Sequence, residues 1–204
     1  MISAQEALER LKQGNKEFVE GKPHKDTHLS LVERATLAQE QHPFAVILGC
    51  SDSRVPAEII FNQGLGDLFV IRVAGNIVAP SQVGSVEFAA EYCGTPLVVV
   101  LGHSHCGAIQ AAIDALRQPN GKTSRSLMSI VNRVRPSVEI LMHTELRHDL
   151  KKLSKYAVRA NVQASVNQLR HGSAMLEQMI LKGQIKVVGA EYAIETGEVE
   201  FFDM

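Results

Sequence analysis

The sequence predicts an α/β fold: a mostly parallel sheet of four to five strands, flanked by helices and preceded by an N-terminal helical arm. Three observations predict it. Short apolar runs of strand length recur at FAVILGC (44–50), DLFVIRVAGN (67–76), PLVVVLGH (96–103) and KVVGAEYAI (186–194), and such runs mark strands buried on both faces. Helical patterns separate them, and buried strands alternating with helices argue for a parallel sheet. The chain has 204 residues, 45% hydrophobic and 21% charged, the size and composition of one globular domain.

The elements follow in order. Ser3 and Glu6 have capping-box spacing, and Leu8, Leu11, Phe18 and Val19 continue near helical spacing to about Gly21. A polar, proline-containing loop is expected over 22–27 and a second helix over 30–40. The strand at 44–50 comes next, then a helical turn at 56–61. The strand at 67–76 runs into Gly75, and a helix is expected over 84–92. After the strand at 96–103 comes a strong helix at 107–116. Helices at 149–171 and 173–182 break near Gly172. The strand at 186–194 is followed by EVEFF (198–202), a fifth strand reached through a turn at Glu195-Thr196-Gly197. No internal linker is visible, so 1–204 reads as one domain, with 1–40 as the helical arm and 41–204 as the α/β core. The arm has two possible seats: its own domain or a partner subunit.

Composition excludes several classes. Lys+Arg is 21 and Asp+Glu 22, a formal net charge of -1, so neither a nucleic acid nor an anionic membrane is an expected partner. No apolar run approaches the roughly 20 residues needed to cross a bilayer. The opening MISAQEALERLKQG reads as an amphipathic helix and not as a signal peptide. Three cysteines cannot all pair within one chain. They point to a reducing, cytoplasmic setting and to thiolate chemistry.

Two of the strands end in metal-ligand residues. Cys50 ends the first, in CSDSR; His103 ends the third, in HSHCG, with Cys106 three residues on. Thiolate and neutral imidazole are ligands that zinc prefers. Ligands of open α/β sheets bind beyond the carboxyl ends of the strands, so the three residues meet there if the two strands are neighbours. Three protein ligands leave a fourth position for water or a side chain. The plain alternative, two small buried cysteines, stays open on spacing alone. Cys93 reads as core. His105 is expected to point away from His103 and not to ligate, although an exchange between the two is possible. His24, His28, His42, His143, His148 and His171 lie in polar stretches and read as solvated. Asp52 and Arg54 flank the same turn as Cys50. Arg54 can hold the carboxylate in a bidentate fork, and the alternative is an ordinary surface ion pair.

These residues stand in CSDSRVPAEIIFNQGLGDLFVIRVAGN (50–76) and VLGHSHCGAI (100–109), two motifs that resemble the β-class carbonic anhydrases. The resemblance is specific over about 41–112 and looser to the end of the chain. It implies a zinc ion held by Cys50, His103 and Cys106, and an Asp52–Arg54 catalytic dyad. It also implies a substrate pocket bordered by Gln41, Phe69 and Phe88. The family often carries tyrosine where Phe88 stands, so no hydroxyl role is expected there. The family pocket lies at a subunit interface, which implies a homodimer or a dimer of dimers. Some members carry a second bicarbonate pocket that needs tryptophan at the position of Ile47. This chain has no tryptophan, so regulation through that pocket is not expected, although its arginine remains as Arg72.

The implied reaction is the reversible hydration of CO2 to bicarbonate and a proton by zinc-bound hydroxide. Carbonic anhydrases with three histidine ligands are the standard case in which zinc brings bound water to about pH 7. Two thiolates neutralise the zinc charge, so a weaker acid and activity rising above neutral pH are expected here. Arg54 and the amides of Cys106 and Gly107, at a helix N-terminus, are expected to help. Gln41 is placed to donate to a CO2 oxygen, and the two phenylalanines to keep the slot apolar. Asp52, if released by Arg54, becomes a possible fourth zinc ligand that closes the site at low pH. The alternatives are hydrolysis of CS2 or COS at the same site, a non-catalytic zinc-stabilised binding protein, and a thiol sensor with a Cys50–Cys106 disulfide.

Overall fold

The computed structural model describes residues 2–22, 31–118 and 124–202. The expected 22–27 loop beyond Lys22, Ser30, His24 and His28 lie outside the described residues. One sheet contains β1 (Ala45–Gly49), β2 (Leu68–Arg72), β3 (Leu97–His103), β4 (Lys186–Tyr192) and β5 (Val199–Phe202), in the order β2-β1-β3-β4-β5. The first four are parallel, and β5 pairs antiparallel with β4. Every residue of β1 and β3 is buried, as strands covered on both faces require.

The helices are α1 (Ala4–Val19), α2 (Leu31–Leu37), α3 (Ala57–Ile60), α4 (Pro80–Tyr92), α5 (Gly107–Arg117), α6 (Arg125–Met142), α7 (Leu150–His171) and α8 (Ala174–Leu181). The capping box forms: Glu6 N–H donates to Ser3 Oγ at 3.2 Å, and Ser3 N–H donates to Glu6 Oε2 at 2.7 Å. Ala7, Leu8 and Leu11 of α1 pack with Ile47, Val99, Leu101 and Val188 on one face of the sheet. Asn15 Nδ2 donates to the carbonyls of Ile60 (3.2 Å) and Gly197 (2.9 Å), and its Oδ1 accepts from Val199 N–H (2.8 Å). Of the two seats open to the arm, α1 therefore takes its own chain. The described side chains of α2 are exposed. On the other face, α4, α7 and α8 cover Val46, Leu48, Val98, Val100 and Val187.

Two elements depart from the expectation. α4 begins at Pro80, not at 84; proline at the first helical positions has no N–H to waste. α6 was not expected at all. Ser124 caps it, accepting from Leu127 N–H at 3.2 Å, and Val131, Val134 and Val138 form its buried stripe. Pro136 sits inside α6 on its exposed side.

Candidate metal centre and active site

β1 and β3 are adjacent and parallel, with Gly49 beside Leu101. Their carboxyl ends therefore open side by side, with Cys50 just past β1, His103 ending β3 and Cys106 capping α5. The Sγ atoms of Cys50 and Cys106 and a ring nitrogen of His103 all lie within 4.8 Å of one another. All three residues are buried, His103 completely.

His103 carries a clear mark of a ligand. Its Nδ1 lies 2.8 Å from the carbonyl oxygen of Ser104. A carbonyl only accepts, so Nδ1 holds the proton and Nε2 presents a lone pair. That Nε2 is buried with no hydrogen-bond partner. Buried polar atoms are ordinarily paired, and a metal would satisfy this one. Zinc binds sulfur at about 2.3 Å and imidazole at about 2.0 Å, so donors around one ion stand up to roughly 4 Å apart. The residues present fit zinc.

The thiols are tuned as a pair. The hydrogen bond from Cys106 pushes the Cys50 thiol well below its ordinary value, with help from the backbone N–H groups of Gly75 and Asp52. Those two N–H groups reach Cys50 Sγ at 3.3 and 3.4 Å. The same thiol contact, with burial, pushes Cys106 up, opposed by the N–H groups of Ile109 and Ala108 in the first turn of α5.

Asp52 is held in a fork. Its Oδ1 accepts from Arg54 N–H and Nε, both at 3.0 Å, and its Oδ2 accepts from Arg54 Nη2 at 2.8 Å. Arg54 keeps the Asp52 carboxyl far below the usual carboxylate range. Oδ2 stands 4.0 Å from His103 Nε2, at the mouth of the donor group. Arg72 donates from Nε to the carbonyl of Cys50 at 3.0 Å and from Nη2 to that of Asp52, bracing the same turn. Gly107, the first residue of α5, is exposed, and a Cβ built there would meet nothing within 4 Å.

His105 points away from the group, at φ +56°, and its ring pairs with Glu195, which also accepts from Ser104 Oγ at 2.8 Å. Glu195, expected only as a turn residue, thus ties the end of β4 to the loop between His103 and Cys106. Nothing in its local sequence signals this, because the contact spans 90 residues.

Gln41, Phe69 and Phe88 lie elsewhere in the chain. Pro43 and Phe44 are pinned to the amino edge of the sheet by Thr95 Oγ1 and by the carbonyl of Asp67. From Pro43 to Cys50 the chain runs roughly 23 Å, at about 3.3 Å per residue, and Gln41 can reach back over only about 7 Å of it. Gln41 and Cys50 therefore occupy opposite edges of one sheet. Phe69 pairs in register with Val46, four residues before Cys50. Its ring meets that of Phe88 at 6.1 Å, and Phe88 stacks on Tyr92 at 5.1 Å. Phe88 and Tyr92 are 45% and 74% exposed, an aromatic surface beside the open edge of β2.

A sheet that opens a buried Cys–His–Cys donor set and a forked Asp–Arg pair at its carboxyl edge defines an α/β protein with a candidate metal centre. The carbonic anhydrase family model matches residues 45–199. Carbonic anhydrase 2 of Mycobacterium tuberculosis is 40% identical over 200 residues, which covers 97% of this chain and 92% of that protein. The carbonic anhydrase of Mycolicibacterium smegmatis is 39% identical over 197 residues, covering 95% and 91%. Among solved structures, the β-carbonic anhydrase CcaA superposes with a TM-score of 0.75 at 28% identity, over 96% of this chain and 95% of that one. The chain belongs to the β-class carbonic anhydrases.

Proposed function

We propose that this carbonic anhydrase hydrates CO2 at a zinc ion held by Cys50, His103 and Cys106. The observation that carries the reading is the orphaned, completely buried Nε2 of His103 facing two thiols. Zinc held by these residues would supply Lewis acidity that lowers the pKa of bound water. Arg54 holds Asp52 beside the donor group, so that the carboxylate accepts a proton-bearing partner instead of wandering. The amides at the start of α5 add positive potential where negative charge develops. The exposed Gly107 leaves room for a triatomic substrate beside Cys106.

The distance of Gln41 from Cys50 within one chain supports a homodimer, or a dimer of dimers, in which Gln41 of one copy serves the site of the other. The exposed Phe88–Tyr92 surface at the β2 edge supports the same assembly. Phe69 lies beneath that surface, its ring 6.1 Å from that of Phe88. The three free cysteines suit a reducing compartment such as the cytoplasm. Among the described residues, no helix is long and apolar enough to cross a membrane.

Zinc content and stopped-flow CO2 hydration, measured together from pH 6 to 9, test the reading. The expected result is one zinc per chain and a chelator-sensitive rate that rises above neutral pH. Hydration that survives complete removal of the metal would overturn it.

A further inference from the structure

α7 presents a buried apolar face with two polar exceptions. Asn161 and Ser165 are 2% and 5% exposed among Val158, Val162, Val166 and Leu169. Four residues apart, they share one side of the helix. Burying a polar side chain is unfavourable unless it finds a partner, and both find theirs in one turn. Asn161 Nδ2 donates to the carbonyl of Gly75 at 2.8 Å, and Ser165 Oγ donates to that of Asn76 at 3.1 Å.

That turn has little freedom. Gly75 has φ +71° and Asn76 φ +43°, a region that non-glycine residues seldom adopt. A Cβ on Gly75 would come 2.9 Å from Ala108 Cβ, in the first turn of α5 beside Cys106. Gly75 N–H in turn donates to Cys50 Sγ at 3.3 Å. The turn is thus a wedge that touches one thiol ligand directly and packs against the helix capped by the other.

We propose that Asn161 and Ser165 are positioning residues of the metal centre: from α7 they grip the Gly75–Asn76 turn, which aims its N–H at Cys50 Sγ and keeps the donor set in binding geometry. The proposal rests on the zinc reading above. Partners that orient ligands are typically worth about 10- to 100-fold in metal affinity.

The test compares the zinc-loaded full chain with Asn161→Ala, Ser165→Ala and Asn15→Ala. Asn15 is a matched control, a buried asparagine that also bonds to backbone carbonyls, but in α1. Zinc loss to a chromogenic chelator, the melting temperature, and the thiolate-to-cobalt charge-transfer band of the cobalt-loaded protein are recorded for each. Asn161→Ala should lose zinc about tenfold faster or more and shift the cobalt band. Asn15→Ala should lower the melting temperature and change neither. Should Asn161→Ala fail to fold, Ser165→Ala decides, with faster zinc loss expected and wild-type loss overturning the proposal. Equal zinc loss from Asn161→Ala and Asn15→Ala, with the band unmoved in both, also overturns it. A wild-type chain that binds no zinc refutes the zinc reading itself, an outcome distinct from either.

Discussion

At Asp52 the fork from Arg54 sets both the charge and the direction of the carboxylate. Its two oxygens accept three hydrogen bonds from one residue, and its Oδ2 is the carboxylate atom beside His103 Nε2. Arg54→Ala frees that oxygen to turn toward the Cys50–His103–Cys106 group and removes the positive charge. The expected outcome is a fall in kcat/KM of about 10- to 100-fold with zinc content unchanged, measured by stopped-flow hydration beside metal analysis. Normal turnover in Arg54→Ala would take the fork out of the mechanism. Glu195 offers a second check at the same scale. Its own backbone N–H, the Ser104 hydroxyl and the His105 ring lower its carboxyl to about 2. A depressed folded-state value stabilises the fold above the ordinary carboxylate range and loses that contribution as pH falls toward 2. Glu195→Gln should therefore flatten the acid loss of stability between about pH 4.5 and 2, by less than about 1 kcal/mol because the pair is exposed. Urea unfolding of both proteins at each pH reads the difference.

Among the elements, α6 shows how a local signal can hide a helix. Its buried valines have helical spacing, yet Pro136 interrupts the pattern. Proline removes an i→i−4 hydrogen bond and crowds the preceding turn, at about 3 kcal/mol in a helix interior. The packing of Val131, Val134 and Val138 against α5 and α7 outweighs that penalty. Because Pro136 is exposed, Pro136→Ala should raise stability by about 1–3 kcal/mol and leave CO2 hydration unchanged. Thermal unfolding checks the first part and a rate assay the second; a lower melting temperature would mean that the proline itself is needed for packing.

For the whole molecule, the sheet order decides where the chemistry sits. β1 and β3 lie side by side, so residues 53 positions apart converge at one edge, while Gln41 is left at the other. If Gln41 serves the neighbouring copy, two defective chains can repair each other. Gln41→Ala keeps its metal ligands, and Cys50→Ala keeps its glutamine. Purified mixed dimers of the two should regain activity well above that of either homodimer, with one complete site per dimer. Mixed dimers no more active than the Gln41→Ala protein alone would place Gln41 outside the partner's site. Sedimentation of the wild-type chain as a monomer would remove the premise.

The sequence by itself determined the α/β class and the strand positions, and it singled out Cys50, His103 and Cys106 as candidate donors. Buried parallel strands write themselves as continuous apolar runs, and Cys50 and His103-x-x-Cys106 fall at the ends of two such runs, the carboxyl edge where open α/β sheets bind ligands. The Asp52–Arg54 fork was legible for the same reason, since its partners are two residues apart. Only the tertiary structure decided that β1 and β3 are neighbours, that α1 packs on its own chain, and that Pro136 lies within a helix. It alone joined Glu195 to the loop after His103, and Asn161 to the turn behind Cys50. Those contacts link residues 86 to 91 positions apart, and a hydrogen bond between distant residues leaves no periodic trace in either local sequence. It exists only once the packing of apolar faces has brought the two stretches together.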